Sequence, residues 1–168
     1  MVFSTLHTLD STRAISRLKT LGIAPNLIAS SVLGILAQRL VRTVCHNCKV
    51  EYTPEARYTE IIPQEYRPQK FVKGKGCMEC RNIGYRGQTG IYELFLMDDE
   101  MEEMINKESP DIEVRQRSIK KGMEVLLEDA LLKVKDNITT IEEIFDTITF
   151  RQIVSQLPDL RLVKAQAK

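Results

Sequence analysis

The chain has 168 residues, 43% hydrophobic and 28% charged, which is room for one full domain or two small ones around a buried core. With 24 Lys/Arg against 23 Asp/Glu the net charge is +1, too balanced for a dedicated nucleic-acid binder. No repetitive run signals low complexity, and the longest uncharged stretch, 20–38, is too interrupted by Gly22, Pro25, Asn26, paired serines and Gly34 to span a membrane.

The first ten residues, MVFSTLHTLD, have no basic segment ahead of an apolar run, so no signal peptide is expected and the chain reads as cytosolic. Residues 10–21 place Ala14, Leu18 and Leu21 on one helical face, and Gly22 supplies a left-handed stop. Pro25 suits the first turn of a second helix through Leu27, Ile28, Ser31 and Val32. Residues 35–44 read as a strand, because β-branched residues take over towards the first cysteine. The segment 45–80 contains Pro54, Pro63 and Pro68 and excludes a long helix. Residues 84–90 are turn-rich, and a short strand is expected over 91–97.

Downstream the spacing is helical. Met97, Met101, Met104 and Ile105 fall on one stripe; Ser109 is expected to cap a helix with Pro110 at its first position and Gly122 at its end. Met123, Leu127, Ala130, Leu131 and Val134 form the next stripe. Thr140 and Glu143 make a capping box ahead of Ile141, Ile144, Phe145 and Ile148. Residues 98–150 carry fifteen acids against seven bases, which suggests a separate subdomain with a solvated acidic face, or an acidic interaction surface. In the tail 151–168, Pro158 would break any helix.

All four cysteines fall in two Cys-x-x-Cys pairs, Cys45/Cys48 and Cys77/Cys80. A two-residue gap lets both thiolates of one turn face a single ion, and two such turns supply the tetrahedral sulfur set that zinc favours. Zinc-bound thiolates persist in a reducing cytosol where disulfides do not. Gly74 and Gly76 before the second pair, with Asn82 and Gly84 after it, suit tight knuckle backbones. The alternative is four reduced cysteines without metal. His46 lies inside the first knuckle and reads as a bystander, since four thiolates already complete a closed structural site.

Much familiar chemistry is missing from these 168 residues. There is no G-x-x-x-x-G-K-[ST], and with His7 and His46 as the two histidines no H-E-x-x-H can be built. Lys70, Lys73, Lys75, Arg81 and Arg86, against Glu79, form a modest basic patch near Phe71 and Tyr85, which makes nucleic-acid binding a minor reading.

Ordered motifs carry the argument further. Ser4-Thr5-Leu6-His7-Thr8 is followed by Arg17-Leu18, Leu21-Gly22-Ile23, Ala29-Ser30-Ser31 and Ala37-Gln38-Arg39-Leu40-Val41-Arg42. Then come the double Cys-x-x-Cys, Gly84-Tyr85-Arg86-Gly87, Thr89-Gly90-Ile91-Tyr92-Glu93-Leu94, Gly122-Met123 before Glu128-Asp129, and Ile138-Thr139-Thr140-Ile141-Glu142-Glu143. Over residues 1–150 this series resembles the C-terminal part of the secretion traffic ATPases, which drive type II secretion and type IV pilus assembly.

The resemblance implies an α/β fold: the C-terminal portion of a RecA-like P-loop ATPase core, with an inserted tetracysteine zinc module and a helical C-terminal subdomain. Residues 1–44 would be the core piece with the histidine box, 45–80 the zinc module, 81–97 a return strand, 98–150 the helical subdomain and 151–168 a tail. Segments 1–6 and 35–44 would be strands of the core sheet. His7 would face the γ-phosphate and act in catalysis, Arg39 and Arg42 would lie on the nucleotide side, and Cys45, Cys48, Cys77 and Cys80 would bind structural Zn2+. ATP and Mg2+ belong to the complete family protein, whose Walker A, aspartate box and Walker B would precede these residues, so this chain alone is expected to be inactive. The family assembles as homo-hexamers and works with inner-membrane platform proteins, which implies a cytoplasmic protein held peripherally at the inner membrane. Leu9 and Gln88 depart from the residues usual in the family at those positions. A non-enzymatic zinc-bearing adaptor that docks on a full-length motor is the alternative.

Overall fold

A computed structural model describes residues 1–150 and 152–157. The elements are α1 (Arg13–Thr20), α2 (Pro25–Ser31), β1 (Gly34–Val44), β2 (Lys49–Tyr52), α3 (Ala56–Thr59), β3 (Phe71–Gly74), β4 (Tyr85–Leu96), α4 (Asp99–Asn106), α5 (Asp111–Lys120), α6 (Leu126–Lys135) and α7 (Ile141–Thr147). A last helical stretch covers 152–157. This is a mixed α/β chain with two small sheets. β1 pairs with β4, and β2 pairs antiparallel with β3 in the register Lys49↔Gly74 to Tyr52↔Phe71. Among the described residues no helix is long and apolar enough to cross a membrane. The reading of Pro158 as a helix breaker lies outside the described residues.

The described chain divides into two compact units, and the division falls within β1 and within β4. The first comprises Met1–Ala37 and Tyr92–Leu126. In it α2 packs on α4, and α1 and α4 both pack on α5. The second comprises Gln38–Ile91 and Leu127–Leu157. It contains the β2–β3 hairpin and the packing of α3 on α7.

Several expectations hold and several need correction. Gly22 ends the α1 region at φ +85°, and Pro25 opens α2. The buried face of α1 is Ala14 and Ile15, however, and Leu21 is 55% exposed. The helix ends at Thr20, so Leu21 is its C-cap residue and no longer follows the inward stripe. The run 84–90 is not a turn but mostly strand, since β4 starts at Tyr85. Gly87 sits inside that strand at φ +83°, a left-handed conformation that glycine adopts at no steric cost. No strand forms over 1–6. These residues have no ladder partner among the described residues, and Val2 and Phe3 are largely exposed. Ser109 does not cap α5: the extended residue before Asp111 is Pro110, which has no side-chain oxygen to offer. Thr140 does cap α7, accepting from the Glu143 N–H at 3.2 Å. The reciprocal half of the capping box is missing because the Glu143 carboxylate goes to Arg42 instead.

The first unit is organised around one carboxylate. Along β4, Ile91, Glu93 and Phe95 point inward while Tyr92, Leu94 and Leu96 point outward, the alternation of a strand with one covered face. Glu93 is 1% exposed. Its Oε1 accepts from Ser11 N at 2.9 Å, Ser11 Oγ at 2.6 Å and Arg115 Nη1 at 3.1 Å. Its Oε2 accepts from Arg115 Nη2 at 3.0 Å and Leu126 N at 3.1 Å. Burial alone would raise the Glu93 carboxyl, but the Arg115 guanidinium and the Ser11 donors outweigh it and hold the group below its ordinary value.

Two outcomes follow for this carboxylate. Glu93→Gln leaves the Arg115 charge buried without its partner and should cost about 3–5 kcal/mol in urea unfolding at neutral pH. Because the folded value is depressed, the Glu93 contribution is full above the unfolded value of roughly 4.3 and is lost as pH falls through the folded one. Unfolding midpoints measured down through that acid range should therefore fall in the native chain and fall less in the Gln variant.

Candidate metal centre

Two short 3-10 turns carry the cysteines. His46–Cys48 follows the end of β1, and Met78–Cys80 follows β3. Each turn is closed by its own backbone: Cys48 N–H donates to Cys45 O at 3.3 Å, and Arg81 N–H donates to Met78 O at 3.1 Å. Cross-links then join the turns, Cys45 N–H to Gly84 O and Lys75 N–H to Cys48 O, both at 3.0 Å. The β2–β3 ladder begins at the same place, with Lys49 directly after Cys48 and opposite Gly74.

Bringing the turns this close requires residues without Cβ atoms. A Cβ on Gly74 would lie 1.9 Å from the Gly84 carbonyl oxygen, so alanine cannot fit there without moving a backbone. Past the second turn Arg81 and Asn82 stand at φ +52° and +63°, a left-handed pair that reverses the chain towards β4.

The four sulfurs lie within 4.8 Å of one another. Cys45 and Cys77 Sγ are 3.8 Å apart, Cys48 and Cys80 Sγ 3.7 Å, and Cys77 and Cys80 Sγ 3.7 Å. These are free cysteines, far beyond the roughly 2.05 Å of a disulfide. A regular tetrahedron of sulfurs at the usual Zn–S distance of about 2.3 Å has an edge of about 3.8 Å, so this donor set fits a zinc-sized tetrahedral ion. Cys45, Cys48 and Cys80 are buried and Cys77 is partly covered. His46 is exposed and outside the cluster.

The thiols are not equivalent. Burial pushes Cys48 up to about 12, with the backbone N–H of Gly76 opposing. Burial acts against ionisation at Cys80 as well, but there the Cys77 and Gly84 backbone N–H groups, at 3.2 and 3.3 Å from Sγ, help bring it down to about 6.

The nucleotide-side candidates occupy separate places. His7 is exposed and lies before α1. Arg39 lies on β1, where its Nη1 donates to Gln38 O at 2.9 Å. Arg42 is held by Glu143: its backbone N–H donates to Oε1 at 2.9 Å and its Nε to Oε2 at 2.8 Å, and its guanidinium stacks 4.2 Å over the Tyr85 ring. The Glu143 hydrogen bond raises Arg42 further above its ordinary value. Sequence reasoning missed this pair because its members are 101 positions apart. It also missed Tyr52 and Tyr66 and read Tyr85 only as part of a motif beside the basic patch, although tyrosines crowded in and beside a cysteine-bounded segment are a visible signal.

Gly74→Ala should drive the two turns apart. Titration with cobalt, whose visible absorption reports a four-sulfur site, should show affinity weakened by about one to two orders of magnitude, the effect of overpacking at a rigid contact.

The comparisons bear on identity. Residues 1–146 match the family described as type II/IV secretion system protein. The chain is 40% identical over 145 residues to the type II secretion system ATPase E of Vibrio cholerae, covering 86% of this chain and 29% of that protein. It is 42% identical over 145 residues to the type II secretion system protein E of Pseudomonas aeruginosa, again covering 86% and 29%. To the type IV pilus assembly ATPase PilB of Thermus thermophilus it is 40% identical over 147 residues, 86% of this chain and 16% of that protein. It thus spans less than a third of the length of each of these relatives. The match runs through both Cys-x-x-Cys turns and on past Glu143, and on that ground the chain belongs to the type II/IV secretion system protein family.

Proposed function

We propose that this chain is the C-terminal portion of a hexameric motor ATPase that powers type II protein secretion or type IV pilus assembly by ATP hydrolysis. The observation that carries the reading is the family match over residues 1–146, together with 40% identity to relatives named type II secretion system ATPase E and type IV pilus assembly ATPase PilB. In this reading 1–44 and 81–97 belong to a RecA-like core, 45–80 is the metal module, 98–150 is a helical subdomain and 151–168 a tail. His7 acts at the γ-phosphate, and Arg39 and Arg42 lie on the nucleotide side. The complete motor is cytoplasmic and works against inner-membrane platform proteins.

Cys45, Cys48, Cys77 and Cys80 hold one Zn2+, and the spacing of their sulfurs supports that assignment. Bound there, the ion supplies cross-linking energy and no catalysis, because four sulfurs leave no open position. What the chain does for the site is orient it: the glycine contact and the backbone cross-links hold the thiols ready, and the Cys77 and Gly84 N–H groups stabilise negative charge on Cys80. Phosphate cradling and Mg2+ binding in P-loop enzymes come from Walker A and Walker B residues, which these 168 residues do not contain.

Three measurements test the reading. Elemental analysis should return one zinc per chain, and a result without zinc, with four freely titrating thiols, refutes the metal assignment. The chain by itself should hydrolyse no ATP above background; robust magnesium-dependent turnover would refute the fragment reading. In a complete motor, His7→Ala should reduce turnover by about 100-fold or more, the usual scale for a positioned catalytic side chain, with zinc content and hexamer assembly unchanged. Hydrolysis at the native rate would return His7 to a purely structural role.

A further inference from the structure

Within the second unit, the tyrosines around the cysteines all reach one pair of helices. Tyr66 Oη donates to Glu128 Oε1 on α6 at 2.8 Å. Tyr52 Oη donates to the Glu142 carboxylate in the first turn of α7. Tyr85 Oη shares a hydrogen bond of 2.7 Å with the hydroxyl of Thr140, the residue that caps α7. The Tyr58 ring meets Phe145 edge-on at 4.9 Å.

We infer that metal occupancy of the four-cysteine centre determines whether α7 is folded and docked, with Tyr52 and Tyr85 as the positioning residues that transmit the state and Tyr66 tying the same module to α6. This rests on the reading that the cysteines hold zinc. α7 has seven residues, about half the length at which an isolated helix becomes even marginal in water, so its helicity depends on what it docks against. Its docking partners are rooted at the centre. Tyr52 closes the far end of a ladder of four pairs whose near end is Lys49, next to Cys48. Tyr66 lies in the excursion between those strands, and Tyr85 starts β4 just beyond the second turn. An unsupported two-stranded hairpin is marginal at best, so the coordinating ion fixes the position of the Tyr52 hydroxyl, and through the turn just before β4 it steadies that of Tyr85.

Other contacts hold the approach to α7 to β1 rather than to the cysteine module. Val44 N–H donates to Ile138 O at 2.9 Å and Thr139 Oγ1 donates to Arg42 O at 2.8 Å. The latch therefore acts on α7 itself and leaves the preceding loop attached. Arg42 grips Glu143 from β1 as well, but its guanidinium lies over Tyr85, so it too loses part of its support when that tyrosine shifts.

The full zinc-loaded chain is followed by amide hydrogen exchange while a strong chelator strips the metal. Protection over 141–147 should fall about tenfold or more in step with zinc loss, as the contacts of Tyr52 and Tyr85 are given up. Protection over 111–120, in the first unit, should persist. The chain has no tryptophan, so tyrosine emission is readable and should rise as phenols leave the carboxylates that quench them. Zinc-loaded Tyr52→Phe should keep one zinc per chain and yet lose about tenfold of the protection over 141–147, the scale of one hydrogen bond to a charged acceptor. Unchanged protection over 141–147 after stripping would overturn the latch while the zinc assignment stands. A chain that never retains zinc would overturn both. Loss of protection over 111–120 on stripping would also overturn it, since the centre would then support the whole fold. Unchanged protection over 141–147 in a zinc-loaded Tyr52→Phe, Tyr85→Phe double variant would overturn the role of the tyrosines.

Discussion

Four sulfur atoms held within 4.8 Å of one another are the constraint to which the second unit is fitted. Converging thiols have little mutual attraction, and a cation among them would take up the charge of those that ionise. Everything nearby serves the approach. Gly74 lies against the Gly84 carbonyl where a side chain would collide, Arg81 and Asn82 accept left-handed backbone, and the Cys45 and Lys75 amides stitch one turn to the other. Strained or glycine-dependent backbone of this kind persists where the surroundings over-determine it, and coordination is the strongest such bond this segment can offer.

Away from the sulfurs, two buried carboxylates tie together segments remote in sequence. Glu93 in the first unit gathers Ser11, Arg115 and Leu126; Glu143 in the second accepts both the backbone and the guanidinium of Arg42. Each is nearly removed from solvent, so each charge must be met by donors or it destabilises the fold. Exposed pairs such as Lys70–Glu51 or Lys107–Glu103 are a different matter, since solvent screens them and their net contribution is about 0–1 kcal/mol. The distinction matters for reading charge: a carboxylate inside the fold behaves as a many-handed acceptor, one outside it as a solubilising group.

What could be read from the sequence was local or strongly spaced. The two Cys-x-x-Cys turns, Gly22 and Pro25 bounding two helices, the strand into Cys45 and the Met123-to-Val134 stripe each rest on chemistry within a few residues of itself, and each is found in the structure. What failed depended on partners elsewhere in the chain. The run 84–90 looked like a turn because its glycines were weighed without β1, the strand that pairs with it. Leu21 looked like a core residue on helical phase alone, before it was known where the helix stopped. The Thr140–Glu143 box was half right because a guanidinium 101 residues away competes for the glutamate better than a single backbone N–H can.

The acidic stretch 98–150 puts its charge to two uses. Fifteen acids against seven bases suggest a solvated face, yet many of those acids are acceptors already in use. Glu128 and Glu142 receive tyrosine hydroxyls, Glu143 receives Arg42, and Asp111 receives the Ser16 hydroxyl at 2.5 Å. At the start of α4, Asp98 caps the helix through Met101 N–H, and Lys121 sits between it and Glu100. The side-chain hydrogen bond from Lys121 is the main reason that Asp98 ionises below its ordinary value. Part of the negative charge in this stretch is thus a supply of acceptors, for donors that include Tyr52, Tyr66, Arg42 and Ser16 from outside 98–150, while Glu103, Glu108, Glu113, Glu124, Asp136 and Asp146 stay exposed.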